Sequence, residues 1–335
     1  AVAVAPGDVR VLSGKTRELQ GPPSLPYIVG GDVCGIVVEA DDTTTTEQQS
    51  SKINNHDFRQ DDLVVAMFNI EELGPRGAMA EYALVNTKVC DKVPDGVSPE
   101  EAAAVSSSGL AAMAVAQCIQ KGDRILIFGA GGGVGSYLTQ LAKRHGASFV
   151  AGISRHPQRI LEPPLSCDEA VDYTQENPWE KEEWINDPFD LVIDLIGGCW
   201  IELIHHSKSS GKGGMIVKTA KKGGRFVTMV ADDPWFEAHS FWKATILFAL
   251  LPAWRAIYTR VTRPISQLPT YSMVFLQGKR EKLTEALSLL KDGTIISCLD
   301  PSSPVAFTTE AVQSAFRLQE SRHAQGKIVV RVAQK

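Results

Sequence analysis

The sequence predicts an α/β protein in which a doubly wound parallel sheet is joined to a β-rich segment. From Asp123 an apolar strand, "DRILIFG", runs into a glycine-rich turn, "AGGGVGS", and then into a helix, "YLTQLAKRHG", with apolar positions at Leu138, Leu141 and Ala142. A strand apolar on both faces followed by such a helix suits a parallel sheet covered on both sides. Apolar strands recur at "SFVAGIS", "FDLVIDLIGG" and "GGRFVTMV" between helical patterns, which is the alternation of a doubly wound sheet. Upstream, from Val2 to Glu39, β-branched runs punctuated by Gly and Pro ("VRVLSG", "SLPYIVGGD", "VCGIVVEA") read as short strands and tight turns.

The remaining elements follow in chain order. Asp41 to Asp57 is too polar to offset its ordering entropy by burial and is expected to be a surface loop. Strands are expected at "DLVVAMF" from Asp62 and at "MAEYALV" from Met79. Ser98, Pro99, Glu100 and Glu101 form a helix start, with Ser as N-cap, Pro at the first helical position and Glu at the third. Beyond the parallel strands, Trp235, Trp242 and Trp254 surround the apolar run Ala244 to Leu251, which Lys243, Pro252 and Arg255 cut too short to span a bilayer. A strand "YSMVF", a helix from Lys279 to Lys291 and a strand "GKIVVRV" returning to the first domain complete the chain. The expected domains are 1–98 with 294–335, and 99–293.

Composition narrows the function classes. At 335 residues the chain can bury two cores, and 44% hydrophobic with 22% charged residues is a soluble globular balance. A formal charge of -5 gives no general attraction to polyanions, so nucleic acid is not an expected partner. The six cysteines are scattered, without a C-x-x-C pair, as suits reduced thiols. The lysine-rich stretch His205 to Lys222 reads as a solvated loop, and its His pair is too isolated to suggest a metal. Because the first residue is Ala1, a preceding segment carrying any targeting signal is expected, and the compartment stays open between cytosol and an organelle such as mitochondrion or plastid.

The stretch Ala130 to Gly135 lies between a buried strand and a helix, the context of a dinucleotide-binding turn of pattern A-x-G-x-x-G. Ala130 stands at the first glycine position. Gly132 and Gly133 let the backbone approach a pyrophosphate, Gly135 allows close helix packing, and the helix start at Val134 offers free N–H groups to the phosphates. After the next strand no acid stands where one would bind the adenosine ribose hydroxyls; Ser154, Arg155 and Arg159 stand there instead. Guanidinium groups suit a 2′-phosphate, so NADPH is the expected cofactor.

These residues resemble the medium-chain dehydrogenase/reductases, specifically their zinc-free, quinone oxidoreductase-like branch. The resemblance runs almost end to end, through "PGDVRVLSG", "LPYIVGGDVCGIVVE", "GAMAEYALV", "PDGVSPEEAAAVSSSGLAAMAVAQ", the glycine turn, "FDLVIDLIGG" and "ESRHAQGKIVVRV". It implies a GroES-like β-rich catalytic domain built from both chain ends, a Rossmann cofactor domain inserted between, and a cleft joining them. By motif match Tyr173 and Arg159 fall beside the adenosine phosphate, and Gly197, Gly198, Phe226, Val227 and Ser108 near the nicotinamide. Zinc-bearing relatives carry "GHE" where this chain has Gly30, Gly31 and Asp32, and a cysteine lobe absent here, so no metal is expected. About 30 residues of the family's first strands are also missing from the front of the chain. Arg10 stands where some relatives have Tyr, so no side-chain proton donor carries over.

The expected activity is hydride transfer from NADPH to a quinone or an α,β-unsaturated carbonyl. Enoyl-thioester reduction and a non-enzymatic NADPH-binding role are the alternatives. Arg10, Tyr82 and Ser108 are the acceptor-pocket candidates. A homodimer is expected, and residues 235–258 are a candidate for peripheral membrane contact, with subunit packing as the plainer reading.

Overall fold

A computed structural model describes residues 1–16, 26–40, 58–68, 77–209, 215–233, 236–237, 240–263, 265–276 and 278–332. The expected loop at 41–57 and Trp235 lie outside them. The chain divides into two compact units, one of Ala1–Leu12, Pro22–Leu110 and Gln277–Lys335, the other of Ser13–Gly21 and Ala111–Leu276.

The first unit holds a six-stranded sheet in the order β11-β12-β1-β2-β3-β4. Its strands are β1 (Val2–Val4), β2 (Asp32–Ile36), β3 (Leu63–Met67), β4 (Cys90–Lys92), β11 (Val305–Ala306) and β12 (Ile328–Arg331). The two chain ends pair directly, with Val2 opposite Val330 and Val4 opposite Ile328, so "GKIVVRV" returns to the first sheet as expected. Val4, Ile328 and Val330 pack with Val305 and Ala315 into one core. Asp32 opens β2 and faces Lys327 just before β12; the Nζ–Oδ2 distance is 3.0 Å, both side chains are under 5% exposed, and the Ser107 hydroxyl also donates to Asp32.

Two expected strands are absent. "PGDVRVLSG" forms a helix, Pro6–Ser13, because Pro6 is preset for a first helical turn and the Asp8 carboxylate accepts the Ala5 N–H at 2.8 Å. Local capping outweighs the β-branched pattern there. "MAEYALV" is a bend whose start hydrogen-bonds to Ile28–Gly30 rather than to a sheet, leaving Tyr82 and Leu84 exposed. The Ser98 helix start is as expected: Ser98 N–H donates to Glu101 at 2.9 Å and Glu101 N–H to Ser98 Oγ at 3.3 Å, opening the helix Pro99–Ala116.

The second unit holds a wholly parallel sheet in the order β10-β9-β8-β5-β6-β7. Its strands are β5 (Arg124–Phe128), β6 (Phe149–Ile153), β7 (Glu169–Val171), β8 (Leu191–Asp194), β9 (Arg225–Thr228) and β10 (Thr270–Met273). Read from β7, this is the doubly wound 3-2-1-4-5-6 order, and its direction reverses between β5 and β8. The helix Gly133–Arg144 buries Tyr137, Leu138, Leu141 and Ala142. After β9 the chain forms Phe241–Thr245, a wide π turn at Ile246–Leu250 and Leu251–Val261 in one run. Pro252 lacks an N–H and crowds the carbonyl four residues earlier, which opens that turn. Among the described residues, no helix is long and apolar enough to cross a membrane.

Removing one partner of a buried ion pair strands the other charge. Asp32→Ala is therefore expected to destabilise the chain by about 3–5 kcal/mol in urea unfolding, and a loss below about 1 kcal/mol would show the pair to be solvated.

Candidate active site

The loops at the carboxyl ends of β5, β6 and β8 meet at the point where strand order reverses. Phe128 and Asp194 end β5 and β8 in register, and a Cβ on Gly129 would lie 2.8 Å from Ile196 in the loop after β8. Gly135 starts the helix so close to the strand that a Cβ on it would sit 2.1 Å from the Gly129 carbonyl oxygen and 2.7 Å from that of Ala130. Only glycine fits. Gly132 is the N-cap and has no side chain to offer, so the N–H groups of Gly133, Val134 and Gly135 lie at a helix start without a side-chain cap. Ala130 is fully buried, and its methyl lies over Gly152 of β6, where an added Cβ would approach within 2.8 Å. Gly152 is thus a partner of the turn that the fingerprint did not reveal; a lone glycine in an apolar strand was its only signal.

The β6 end supplies the hydroxyl and guanidinium groups. Ser154 donates its N–H to Val171 of β7 at 3.1 Å, and its Oγ would lie 3.0 Å from a Cβ on Gly131. Arg155 follows, exposed, and Arg159 is half-buried on the short helix Pro157–Leu161. Tyr173, half-exposed, continues from β7. The structure therefore gathers Ser154, Arg155, Arg159 and Tyr173 at neighbouring strand ends. It adds Asp172, whose carboxyl is held below its usual range by hydrogen bonds from the Thr174 side chain and backbone and then by the charges of Arg155 and His156.

After β8, Gly197 and Gly198 both have φ of 88°, a turn that favours glycine. Buried Asp194 fixes it by accepting N–H bonds from Ile196 (2.9 Å), Gly197 (2.7 Å) and Cys199 (3.2 Å). Burial pushes this carboxyl up while those amides oppose the shift. Asp194 was missed in the sequence because it closes an otherwise apolar strand. Phe226 and Val227, expected near the nicotinamide, have their side chains buried within the sheet, Phe226 edge-on to Trp200 and stacked on Tyr271. The residues beyond β9 are Met229 to Asp232, and Asp232 holds Arg255 in a two-pronged pair at 2.9 and 2.7 Å.

In the first unit, Tyr82 is 75% exposed and Ser108 is buried, whereas the neighbouring Ser107 hydroxyl is the one that meets Asp32. Arg10 is half-buried; burial lowers its pKa and the charge of Asp8 raises it. Asp8 was not singled out in the sequence, where it looks like a helix cap. Burial pushes its carboxyl up to about 6 against the N–H bonds from Ala5 and Gly30.

The described residues around Asp32 do not suit zinc. Asp32 is engaged by Lys327 and Ser107, and burial pushes the thiols of Cys34 and Cys90 up to about 12, far from the thiolate a zinc ion needs. Among the described residues, the group with three metal-ligating side chains in reach is Glu202, His205 and His206, on the surface helix Cys199–Ser209 of the second unit. The His pair is therefore less isolated than expected, because helical spacing brings Glu202 alongside it.

Residues 1–95 match the alcohol dehydrogenase GroES-like domain, and residues 165–330 the zinc-binding dehydrogenase family. The chain belongs to the medium-chain dehydrogenase/reductase superfamily, on its quinone oxidoreductase-like branch. Within that superfamily it is 28% identical to an NADPH-dependent alkenal/one oxidoreductase of Arabidopsis thaliana, over 98% of this chain and 70% of that protein. It is 29% identical to a 2-methylene-furan-3-one reductase of Solanum lycopersicum, over 98% of this chain and 69% of the relative. The quinone oxidoreductase structure from Coxiella burnetii shares the fold with a TM-score of 0.67 at 22% identity, covering 99% of this chain and 88% of that one. The first unit is thus the GroES-like domain and the second the Rossmann domain.

The glycine turn and Asp8 each give a measurable expectation. Gly135→Ala should cost about 2–3 kcal/mol of stability by overpacking, whereas Gly132→Ala, whose nearest neighbour would be 3.4 Å away, should cost under about 1 kcal/mol; equal losses in urea unfolding would contradict the close approach. A carboxyl raised from 3.8 to about 6 binds its proton more tightly in the folded chain than in the unfolded one. Its stabilising contribution is complete below pH 3.8 and is lost as pH rises through about 6. Compared with Asp8→Asn, the wild type should lose about 3 kcal/mol between about pH 4 and pH 7; parallel stability curves would contradict the shift.

Proposed function

We propose that the chain is an NADPH-dependent reductase that delivers hydride, without zinc, to a quinone or to the β-carbon of an α,β-unsaturated carbonyl. The observation that carries this reading is the cluster of Ser154, Arg155 and Arg159 beside Tyr173, one strand over from the glycine turn. An anion-binding helix start next to two guanidinium groups and a hydroxyl suits a diphosphate and a 2′-phosphate together. In this reading Gly132 to Gly135 hold the pyrophosphate through their backbone, Ala130 packs the turn onto β6, and Gly197 and Gly198 form the nicotinamide side, kept in shape by Asp194.

NADPH, when bound, supplies the hydride; the chain holds it at the switch point and excludes water from its buried face. The donors that would polarise an isolated carbonyl through zinc are committed elsewhere, which favours conjugated acceptors that accept hydride unaided. The names of the two plant relatives support the same class. The completing proton comes from water or a cofactor hydroxyl. Arg10, beside Asp8, is the acceptor-side candidate we carry forward. A homodimer belongs to the proposal, since among the described residues β10 pairs with β9 alone and leaves a sheet edge that a second copy can extend. Cytosol or an organelle is the proposed compartment; relatives named chloroplastic and mitochondrial support the latter.

NADPH consumption measured with an ortho-quinone, an enone and an enoyl thioester tests the reading. Turnover of the first two is expected. A preference for the thioester would move the chain to acyl reduction, and tight NADPH binding without turnover on any acceptor would make it a binding protein. Arg155→Asp should lower the preference for NADPH over NADH about 10- to 100-fold through loss of a charge-assisted phosphate contact; an unchanged NADPH affinity would remove Arg155 from the site.

A further inference from the structure

The run from Phe241 to Val261 is fixed to the Rossmann unit by one face only. Ala244 packs with Ala231 and Phe236, Arg255 pairs with Asp232, and the Thr259 hydroxyl accepts the Tyr271 N–H at 3.0 Å. On the opposite face stand Trp242, Ile246, Leu250, Trp254, Ile257 and Val261, each between 50 and 74% exposed. Their spacing of three or four residues makes a continuous apolar stripe, the pattern that ordinarily faces a core. Contiguous apolar surface of this kind on a folded domain marks an interaction site.

The charges decide what covers it. From Ala238 to Gln277 the chain has no aspartate or glutamate, although the whole protein carries a formal charge of -5. Lys243 and Arg260 are exposed along the same run and Arg263, which donates Nε–H to the Ala220 carbonyl, just beyond it, while Arg255 is buried against Asp232. A second copy laid on this stripe about a two-fold axis would bring cations toward cations with no acid on the segment to answer them. An apolar, tryptophan-bearing helix face on a segment that carries cations and no acid has the chemistry of a helix lying in the headgroup region of an anionic bilayer. We propose that the Phe241–Val261 face docks the protein on an anionic phospholipid surface, with the six apolar side chains entering the headgroup and acyl boundary and the cations on the phosphates. The helix lies on such a surface and does not span it. The proposal stands on this face and not on the hydride-transfer reading, although it would place a reductase where lipophilic acceptors dissolve.

The full chain is tested by flotation with vesicles of phosphatidylcholine alone and of phosphatidylcholine mixed with phosphatidylglycerol. Binding about a hundredfold tighter to the mixed vesicles is expected for three surface cations, falling as salt is raised. Tryptophan fluorescence should be quenched by acyl-brominated lipid in the mixed vesicles. Ile246→Glu with Ile257→Glu should abolish flotation while leaving the solution mass, the thermal midpoint and any NADPH turnover with a water-soluble enone unchanged. Should that pair fail to fold, Trp242→Ser supplies the milder test and should weaken binding at least tenfold. Absence of flotation by the wild type, equal binding to both vesicles, or a fall in solution mass in either variant would overturn the proposal, the last by assigning the face to a second copy. Failure of the hydride-transfer reading would appear in the turnover assay alone and leave the vesicle result standing.

Discussion

The constraint on which the cofactor side of the Rossmann unit depends is the approach of Gly135 to the carbonyl oxygens of Gly129 and Ala130. It sets the Gly133–Arg144 helix tight against β5 and aims its unprotected start at the strand ends. Everything assigned to the cofactor side follows from that placement. Ala130 is tolerated because Gly152 on the adjacent strand makes room for its methyl, and a Cβ on Gly131 would meet the Ser154 hydroxyl at 3.0 Å and Ile160 at 3.4 Å. A helix start held elsewhere, or filled by side chains, would leave the guanidinium groups after β6 with nothing to complete.

The second constraint is the set of buried carboxyl groups, each held by different partners. Asp194 is surrounded by backbone N–H groups and so acts as the hub of the Gly197–Gly198 turn. Asp32 has a buried cation, Lys327, and ties the strand after the Gly30–Gly31 turn to the returning C-terminal strand. Asp8 accepts two amides and feels Lys327 and Arg10 through their charge alone, and burial pushes its carboxyl up to about 6. The same residue type thus serves as turn anchor, structural ion and titratable group, according to what surrounds it. Here Asp32 is paired with Lys327, and burial pushes the neighbouring thiols up to about 12.

The Phe241–Val261 run shows how a helix can satisfy packing on one side while leaving a second apolar stripe without a partner in the chain. Its inner face combines Arg255 and Thr259, held by directed bonds, with Ala244, Leu247 and Phe248, which pack against Ala231 and Phe236. Trp242, Ile246, Leu250, Trp254, Ile257 and Val261 are left outside. A helix apolar all round is normally buried all round, so this distribution is a property of the surface and not of the core.

The sequence by itself determined the elements whose signals are local: the apolar strands and glycine turn of the parallel sheet, the Ser98–Glu101 helix start, the return of "GKIVVRV", and the basic residues after β6. Periodicity, capping and close-approach glycines are readable over a few residues, because the forces behind them act between near neighbours. Tertiary structure decided the rest. It turned "MAEYALV" into a bend, buried the side chains of Phe226 and Val227 in the sheet, and brought the Ser107 hydroxyl to Asp32. It also brought Lys327 to Asp32 and laid Asp194 under its turn. Those outcomes depend on which distant strand lies alongside and on how much water is excluded, and a linear pattern carries no record of either.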